Sequence, residues 1–192
     1  YVTENNILIG YIDVADELRP EARHVVSYFH SKGISTVLLS GDKKEKAQHI
    51  ADALGIDEVI AEKTPEEKLQ IIAQKNAATP TAMVGDGIND APALAKATIG
   101  ISMSDASQIA MQTAQVVLMN HGLKNLPMAL GLGKHTYKTI KENLFWAFSY
   151  NIIAIPVAAL GFLTPQFGAL IMAFSDVVLA ANSSRLLVKK VD

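Results

Sequence analysis

The chain has 192 residues, 17 basic and 19 acidic side chains, a net charge of −2 and no cysteine. That length suits one ordinary domain with an appendage, the charge leaves no basic stripe for nucleic acid, and disulfides, thiol nucleophiles and thiolate metal sites are excluded. Hydrophobic residues make up 49% of the chain, and the excess is local: Asp176 is the single charged residue between positions 143 and 184.

The chain opens on Tyr1 without a charged and apolar leader and so reads as a fragment of something longer. Residues 7–14 are an apolar run with β-branched members, expected as a strand. Arg19-Pro20-Glu21 opens a helix, Ala22, Val25, Val26 and Phe29 follow at helical spacing, and Gly33 ends it. Residues 34–39 are a short buried-type strand, Ser40-Gly41-Asp42 a turn, and residues 43–54 a helix closed by Gly55. Val59-Ile60 is a brief strand, Thr64-Pro65 caps a helix to Lys75, and residues 81–84 are a strand leading into the Gly85-Asp86-Gly87 turn. Residues 99–102 and 115–119 read as further strands. This alternation implies an α/β fold, a parallel sheet covered by helices, with ligand loops at the carboxyl ends of its strands.

From Lys134 the composition changes. Lys134, Lys138 and Lys141 precede residues 143–163, close to the roughly 20 residues that span a bilayer as a helix. Thr164-Pro165 breaks the run, residues 166–184 form a second span, and Arg185, Lys189 and Lys190 follow. Cations at both outer ends and none at the turn predict a transmembrane hairpin with both ends in the cytoplasm. The alternative is a pair of buried core helices. Three segments result: residues 1–122, a basic connecting helix over 123–142, and the hairpin with a short tail over 143–192.

Polar clusters fall after the strands and at a helix start. Asp86 and Asp90 lie four apart in Met-Val-Gly-Asp-Gly-Ile-Asn-Asp-Ala-Pro, residues 83–92, where hard oxygen ligands suit Mg²⁺ and Gly85 and Gly87 allow close backbone approach. Taken alone, the segment is equally a polar loop with a capping aspartate. Ser40-Gly41-Asp42 offers a hydroxyl and backbone N–H groups to a phosphoryl oxygen, or is an ordinary turn in which Asp42 caps the next helix. Lys68, on the first turn after Thr64, is a point cation able to neutralise phosphoryl charge, or a solvated surface lysine. Together the three favour phosphate chemistry. Histidines 24, 30, 49, 121 and 135 show no metal-ligand pairing and read as surface or packing residues.

In wording and spacing these motifs resemble the second half of the phosphorylation domain of P-type ATPases, which has a Rossmann-like haloacid-dehalogenase-type fold. The resemblance implies that Asp86 binds Mg²⁺ with Asp90 and Asn89 in support, that Lys68 contacts the phosphoryl group, that Ser40 stands for the more usual Thr, and that Asp42 orders the loop. Gly41, Gly85, Gly87 and Asn89 would border the phosphate, and Asp16 to Arg19 would lie near ATP. Asn143 to Asn151, with Pro156 beyond, resembles the seventh helix of the monovalent-copper class of heavy-metal P-type ATPases, and Met172-Ala-Phe-Ser175 with Asn182-Ser-Ser-Arg resembles the eighth. Tyr150, Asn151, Met172 and Ser175 are then the expected contacts of a transported heavy-metal cation, Cu(I) on the strength of the Met172 thioether.

Two departures matter. The family's nucleophile, the Asp of Asp-Lys-Thr-Gly-Thr, is nowhere in these residues, so the aspartyl phosphate is expected on a residue outside them and the chain alone is expected to be inactive. Asp176 stands where the copper class has a second Ser. The expected identity is the C-terminal part of a copper-exporting P-type ATPase of the plasma or inner membrane, using ATP and Mg²⁺, with the bilayer and the rest of the ATPase as partners and no nucleic acid. Alternatives are a membrane-tethered phosphatase with Asp13 as nucleophile, and a truncated Mg²⁺-binding fragment without catalysis.

Overall fold

The computed structural model describes residues 1–5, 7–12, 17–119 and 122–187. It divides into two compact units, Tyr1–Lys124 and Asn125–Asp192.

In the first unit, β1 (Val2–Glu4) and β2 (Ile7–Gly10) form an antiparallel hairpin. Then come α1 (Ala22–Ser31), β3 (Val37–Leu39), α2 (Lys44–Leu54), β4 (Glu58–Ile60), α3 (Pro65–Ala78), β5 (Ala82–Val84), α4 (Ala91–Lys96), β6 (Ile99–Met103), α5 (Gln108–Thr113) and β7 (Val116–Leu118). Strand β3 pairs with β4, and β5 with β6 with β7, all parallel. The expected parallel sheet is therefore in two pieces. Among the described residues, no strand pairs with the second edge of β3 or of β5. Val37 and Val84, on those two strands, remain more than a third exposed.

Local signals account for the helices that frame the site. Gly55 takes a left-handed conformation, φ 76°, and donates its N–H to the Ala51 carbonyl, which ends α2. Helix α3 starts on a capping box: the Glu67 N–H donates to the Thr64 hydroxyl while the Thr64 N–H donates to the Glu67 carboxylate, and Pro65 fills the first position. Helix α4 is short but central, because Ala93 and Leu94 are completely buried. They form one core with Ile72, Met83, Ala97 and Ala110, against which Leu39 packs. Gly100 is required there: a Cβ would overlap the Leu94 carbonyl.

Residues 7–12 differ from the sequence expectation. They are apolar as read, but the strand ends at Gly10, and Ile7, Leu8, Ile9, Tyr11 and Ile12 stay exposed.

The second unit is a helical hairpin of α6 (Leu126–Ala159) and α7 (Pro165–Ser184). Helix α6 runs 34 residues, about 50 Å at 1.5 Å per residue, so the basic connecting segment and the first arm are one element. Pro156 sits in its last turn, where the lost N–H bond interrupts little. Gly161, with φ 79°, makes the reversal, and Thr164 caps α7 by accepting the Phe167 N–H. Of the two arms, the one continuing from α7 to Leu187, 23 residues, is long and apolar enough to cross a membrane. The first arm falls short because Asn143, Ser149, Tyr150 and Asn151 dilute it.

Candidate phosphoryl site and membrane cation site

Ser40 leaves β3 held by backbone on both sides. Its N–H donates to the Ile60 carbonyl at 2.9 Å and its carbonyl accepts from the Lys63 N–H at 3.1 Å. The Asp42 N–H donates to the Ser40 hydroxyl at 3.1 Å, and that hydroxyl lies 3.2 Å from the Asp42 carboxylate, to which it donates. Asp42 is thus folded back on Ser40, with Lys46 at 3.8 Å from its other oxygen. It does not cap α2, whose first turn has no side-chain cap. Gly41 lies where a Cβ would come within 3.3 Å of the Lys63 carbonyl, so the loop and the start of α3 are in close apposition.

Lys63 begins the approach to α3, and one turn into the helix Lys68 donates to the Asp90 carboxylate at 2.9 Å. The pair is largely buried, with side-chain exposures of 14% and 18%. Burial makes it an obligatory pair, since removing either partner strands the other charge in a poorly solvated place. Asp90 closes a 3₁₀ turn over residues 88–90, its N–H donating to the Gly87 carbonyl. A Cβ on Gly85 would stand 3.1 Å from the Asp90 Cβ, and one on Gly87 would stand 3.5 Å from Asp90 Oδ2. Gly85 therefore clears space for the Asp90 side chain to fold over the loop, a role the sequence did not disclose, whereas a Cβ on Gly87 would make only an ordinary contact.

Asp86 is held by its backbone alone: its carbonyl accepts from the Ser107 N–H at 2.9 Å. Its side chain and that of Asn89 are exposed and make no hydrogen bond among the described residues. A continuous set of contacts joins Ser40 to Lys63, the α3 start to Lys68, and Lys68 to Asp90 on the Asp86 loop. No group of three His, Cys, Asp or Glu side chains gathers as a metal cage among the described residues. That sparse donor set is what Mg²⁺ accepts when waters and a phosphate supply the remaining oxygens. Asp86 is a carboxylate without a side-chain partner among the described residues, and Asp90 spends one oxygen on Lys68.

Arg19 is bound to Asp105 at 3.2 Å. The two border a polar cavity of about 270 Å³ that Ser104, Gly122 and Lys124 help to line. Asp105 was not anticipated, although Ser104-Asp105 follows β6 much as Gly85-Asp86 follows β5, and that repeat could have flagged it. Asp13, Asp16 and His121 lie outside the described residues.

A further cluster surrounds Asp57, the residue just before β4. Its Oδ2 accepts from the Thr36 N–H at 2.7 Å and the Thr36 hydroxyl at 3.1 Å, and His30 Nε2 lies 3.0 Å away. The Thr36 N–H bond, with smaller help from its hydroxyl and from His30, holds this carboxyl below the usual aspartate value against the opposing effect of burial. His30, read from sequence as a surface or packing residue, ties α1 to the segment before β4.

In the helical unit, polar side chains knit the open end of the hairpin. Asn182 donates to the Asn143 side-chain carbonyl at 2.9 Å, Asn143 donates to the Ser183 hydroxyl at 2.9 Å, and Arg185 donates to Asn182 at 3.2 Å. Seven residues onward from Asn143 and seven back from Asn182, the antiparallel register puts Tyr150 level with Ser175. Both are half-buried. Asn151 donates to its own helix at the Ala147 carbonyl, 2.7 Å, and Met172 is 59% exposed. The hairpin register thus brings Tyr150 and Ser175 to one level, while Asn151 bonds its own helix and Met172 is exposed.

Residues 2–98 match a family model described as haloacid dehalogenase-like hydrolase. The chain belongs to that family. Within the haloacid dehalogenase-like hydrolases it is similar to the copper-exporting P-type ATPase of Staphylococcus aureus strain JH9, at 43% identity over 186 residues, 96% of this chain and 23% of that protein. The corresponding protein of the bovine strain RF122 / ET3-1 is 44% identical over the same shares. Among solved structures, a zinc-transporting PIB-type ATPase in its E2.Pi state superposes with a TM-score of 0.86 at 34% identity, covering 95% of this chain and 30% of that one. A second structure of a zinc-transporting PIB-type ATPase, in a different state, gives 0.79 over 88% and 28%. The chain spans about a quarter of the length of these curated relatives.

Proposed function

We propose that these residues form the C-terminal part of an ATP-driven heavy-metal transporter of the P-type class, exporting Cu(I), in which a carboxylate from outside the 192 residues becomes phosphorylated. The observation that carries this reading is the split sheet. Among the described residues β3 and β5 each have an edge with no strand paired to it, Ser40 and Asp86 follow those strands, and Leu39 packs on the same core as Met83 of β5. One further strand between them would complete a continuous parallel sheet and deliver its C-terminal residue amid Ser40, Lys68 and Asp86. Exposed Val37 and Val84 would be covered by the same insertion.

In that arrangement the Ser40 hydroxyl and the N–H groups of the Gly41 turn donate to phosphoryl oxygens. Lys68, positioned by Asp90, offsets charge as the phosphoryl group moves in line between oxygens. Mg²⁺ held on Asp86 would supply the divalent charge that phosphoryl transfer requires. Arg19, which borders the polar cavity with Asp105, is the residue this reading assigns to the nucleotide. Segments 1–122, 123–142 and 143–192 act as phosphorylation domain, connecting helix and membrane hairpin. Residues 1–142 and the C-terminus lie in the cytoplasm, since Lys134, Lys138, Lys141 and Arg185 flank the hairpin's open end. The Met172 thioether and the higher identity to the copper-exporting relatives favour Cu(I) over Zn²⁺.

The test uses the full-length polypeptide. Asp86→Asn is expected to abolish Mg²⁺-dependent phosphoenzyme formation from radiolabelled ATP, and Cu(I) is expected to stimulate ATP hydrolysis in the wild type. Normal phosphoenzyme in the variant removes Asp86 from the reaction, and stimulation by Zn²⁺ alone reassigns the cargo.

A further inference from the structure

The loop after β6, residues 104–107, is held by backbone hydrogen bonds along its length. The Ser104 N–H donates to the Leu118 carbonyl at 3.0 Å, the Ala106 N–H to the Met103 carbonyl at 3.0 Å, and the Ser107 N–H to the Asp86 carbonyl at 2.9 Å. The Ser107 hydroxyl accepts from the Ala110 N–H and so caps α5. From this fixed loop the exposed Asp105 carboxylate accepts from the Arg19 guanidinium at 3.2 Å. Arg19 stands just before α1, its carbonyl accepting from the Ala22 N–H at 3.0 Å. Helix α1 packs on α2 and α2 on β4, whereas β6 belongs to the other piece of the sheet. The pair therefore joins the α1 side of the unit to the loop that supports Asp86. Two half-exposed charges gain little stability from such a bond. It occupies one N–H of a planar fork that has five, leaving the others for an acceptor at the polar cavity of about 270 Å³ that the pair lines.

We propose that Asp105 is a positioning residue for the nucleotide: it steadies the Arg19 guanidinium at this cavity so that the remaining N–H groups meet phosphate oxygens of a nucleoside triphosphate. This rests on the assignment of Arg19 to the nucleotide above and names the residue that orients it. A long side chain that is mobile before binding gives up its rotamer freedom when the ligand arrives, whereas one already bonded at its tip has given it up beforehand. Glu21, the other acid of the cavity, makes no ion pair among the described residues, so the tie is particular to Asp105. Through Ser107 the same loop backs Asp86, and the nucleotide side and the Asp86 loop share one support. The Asp105 charge also repels phosphate at longer range, so the sign of the effect of removing it decides between orientation and repulsion.

The experiment measures phosphoenzyme formed by the purified full-length protein against the concentration of radiolabelled ATP at saturating Mg²⁺. Asp105→Ala is expected to raise the half-saturating ATP concentration about two- to fivefold, the range of an exposed ion pair, with the maximal phosphoenzyme level unchanged. Asp105→Glu, which keeps the charge, is expected to restore most of the affinity, and Glu21→Gln to stay within about twofold of wild type. Arg19→Ala is expected to weaken ATP at least as much, and adding Asp105→Ala to it to change nothing further, as one side chain acting through another requires. Hydrogen exchange of the nucleotide-free protein gives a readout independent of turnover: residues 17–24 exchange faster in Asp105→Ala while residues 83–92 stay as in wild type. Unchanged or tighter ATP in Asp105→Ala, a lowered maximum in place of a shifted midpoint, or additive losses in the double variant overturn the proposal. Thermal unfolding checks the fold, with Asp105→Asn as the second neutral variant, and loss of fold in both also counts against a role exerted through Arg19 alone. Wild-type ATP affinity in Arg19→Ala sinks the nucleotide assignment itself, whereas a loss there beside an unaffected Asp105→Ala removes only this inference.

Discussion

The two units treat their polar groups in opposite ways. Around the Ser40 loop and at Lys68, polar side chains are held by one another and by backbone, and Asp86 is the carboxylate left without a side-chain partner among the described residues. In the α6–α7 hairpin beyond the Asn143–Asn182 knot, Met172 is exposed, Asn151 is bonded to its own helix, and Tyr150 and Ser175 are half-buried without a hydrogen bond between them. A buried core around Leu94 can fix side chains by itself, whereas a two-helix hairpin has only one internal seam with which to do so.

That contrast makes graded predictions. Lys68→Ala should produce the largest stability loss, about 3–5 kcal/mol, because Asp90 is left charged and unpaired in a largely buried place. Denaturant unfolding of the 192-residue chain in detergent, followed by hydrogen exchange across residues 60–110, measures it. A loss comparable to that of an exposed pair, under about 1 kcal/mol, would erase the distinction between the units. Asn182→Ala should cost less, about 0.6 kcal/mol, the usual size of an interhelical hydrogen bond in a membrane, read as increased exchange near Asn143. A loss as large as that of Lys68 would show the hairpin to be as tightly organised as the sheet unit.

Asp57 gives the smallest and most pH-specific effect. Its carboxyl is held below the ordinary value by the Thr36 N–H, so its stabilising contribution is fully present above the unfolded-state value of about 3.9 and is lost as pH falls through the lower folded value. Wild type and Asp57→Asn should therefore differ in thermal midpoint at neutral pH and converge below that range. A difference that persists into strong acid would mean that the Thr36 bonds do not depend on the charge.

Much of this was legible beforehand because it is local. Pro65 and the Thr64–Glu67 box announce α3, Gly55 announces the end of α2, and the alternation of apolar runs with amphipathic stretches announces α/β. The candidates Ser40, Lys68 and Asp86 could likewise be singled out, since each stands at a strand end or near a helix start, whereas Tyr150, Asn151, Met172 and Ser175 lie inside helices. Their partners could not. Nothing in the spacing says that Lys68 meets Asp90 across 22 residues, that Gly85 makes room for the Asp90 side chain, or that Arg19 meets Asp105.

The order of the chain alone determined the elements, the charge-free stretch and the phosphate-type loops, because these follow from periodicity, capping and composition within a few neighbouring residues. Among the described residues, which edges of the sheet stay unpaired, and which carboxylate is engaged and which is without a side-chain partner, were decided by tertiary structure, because each depends on what distant segments place within a few ångströms.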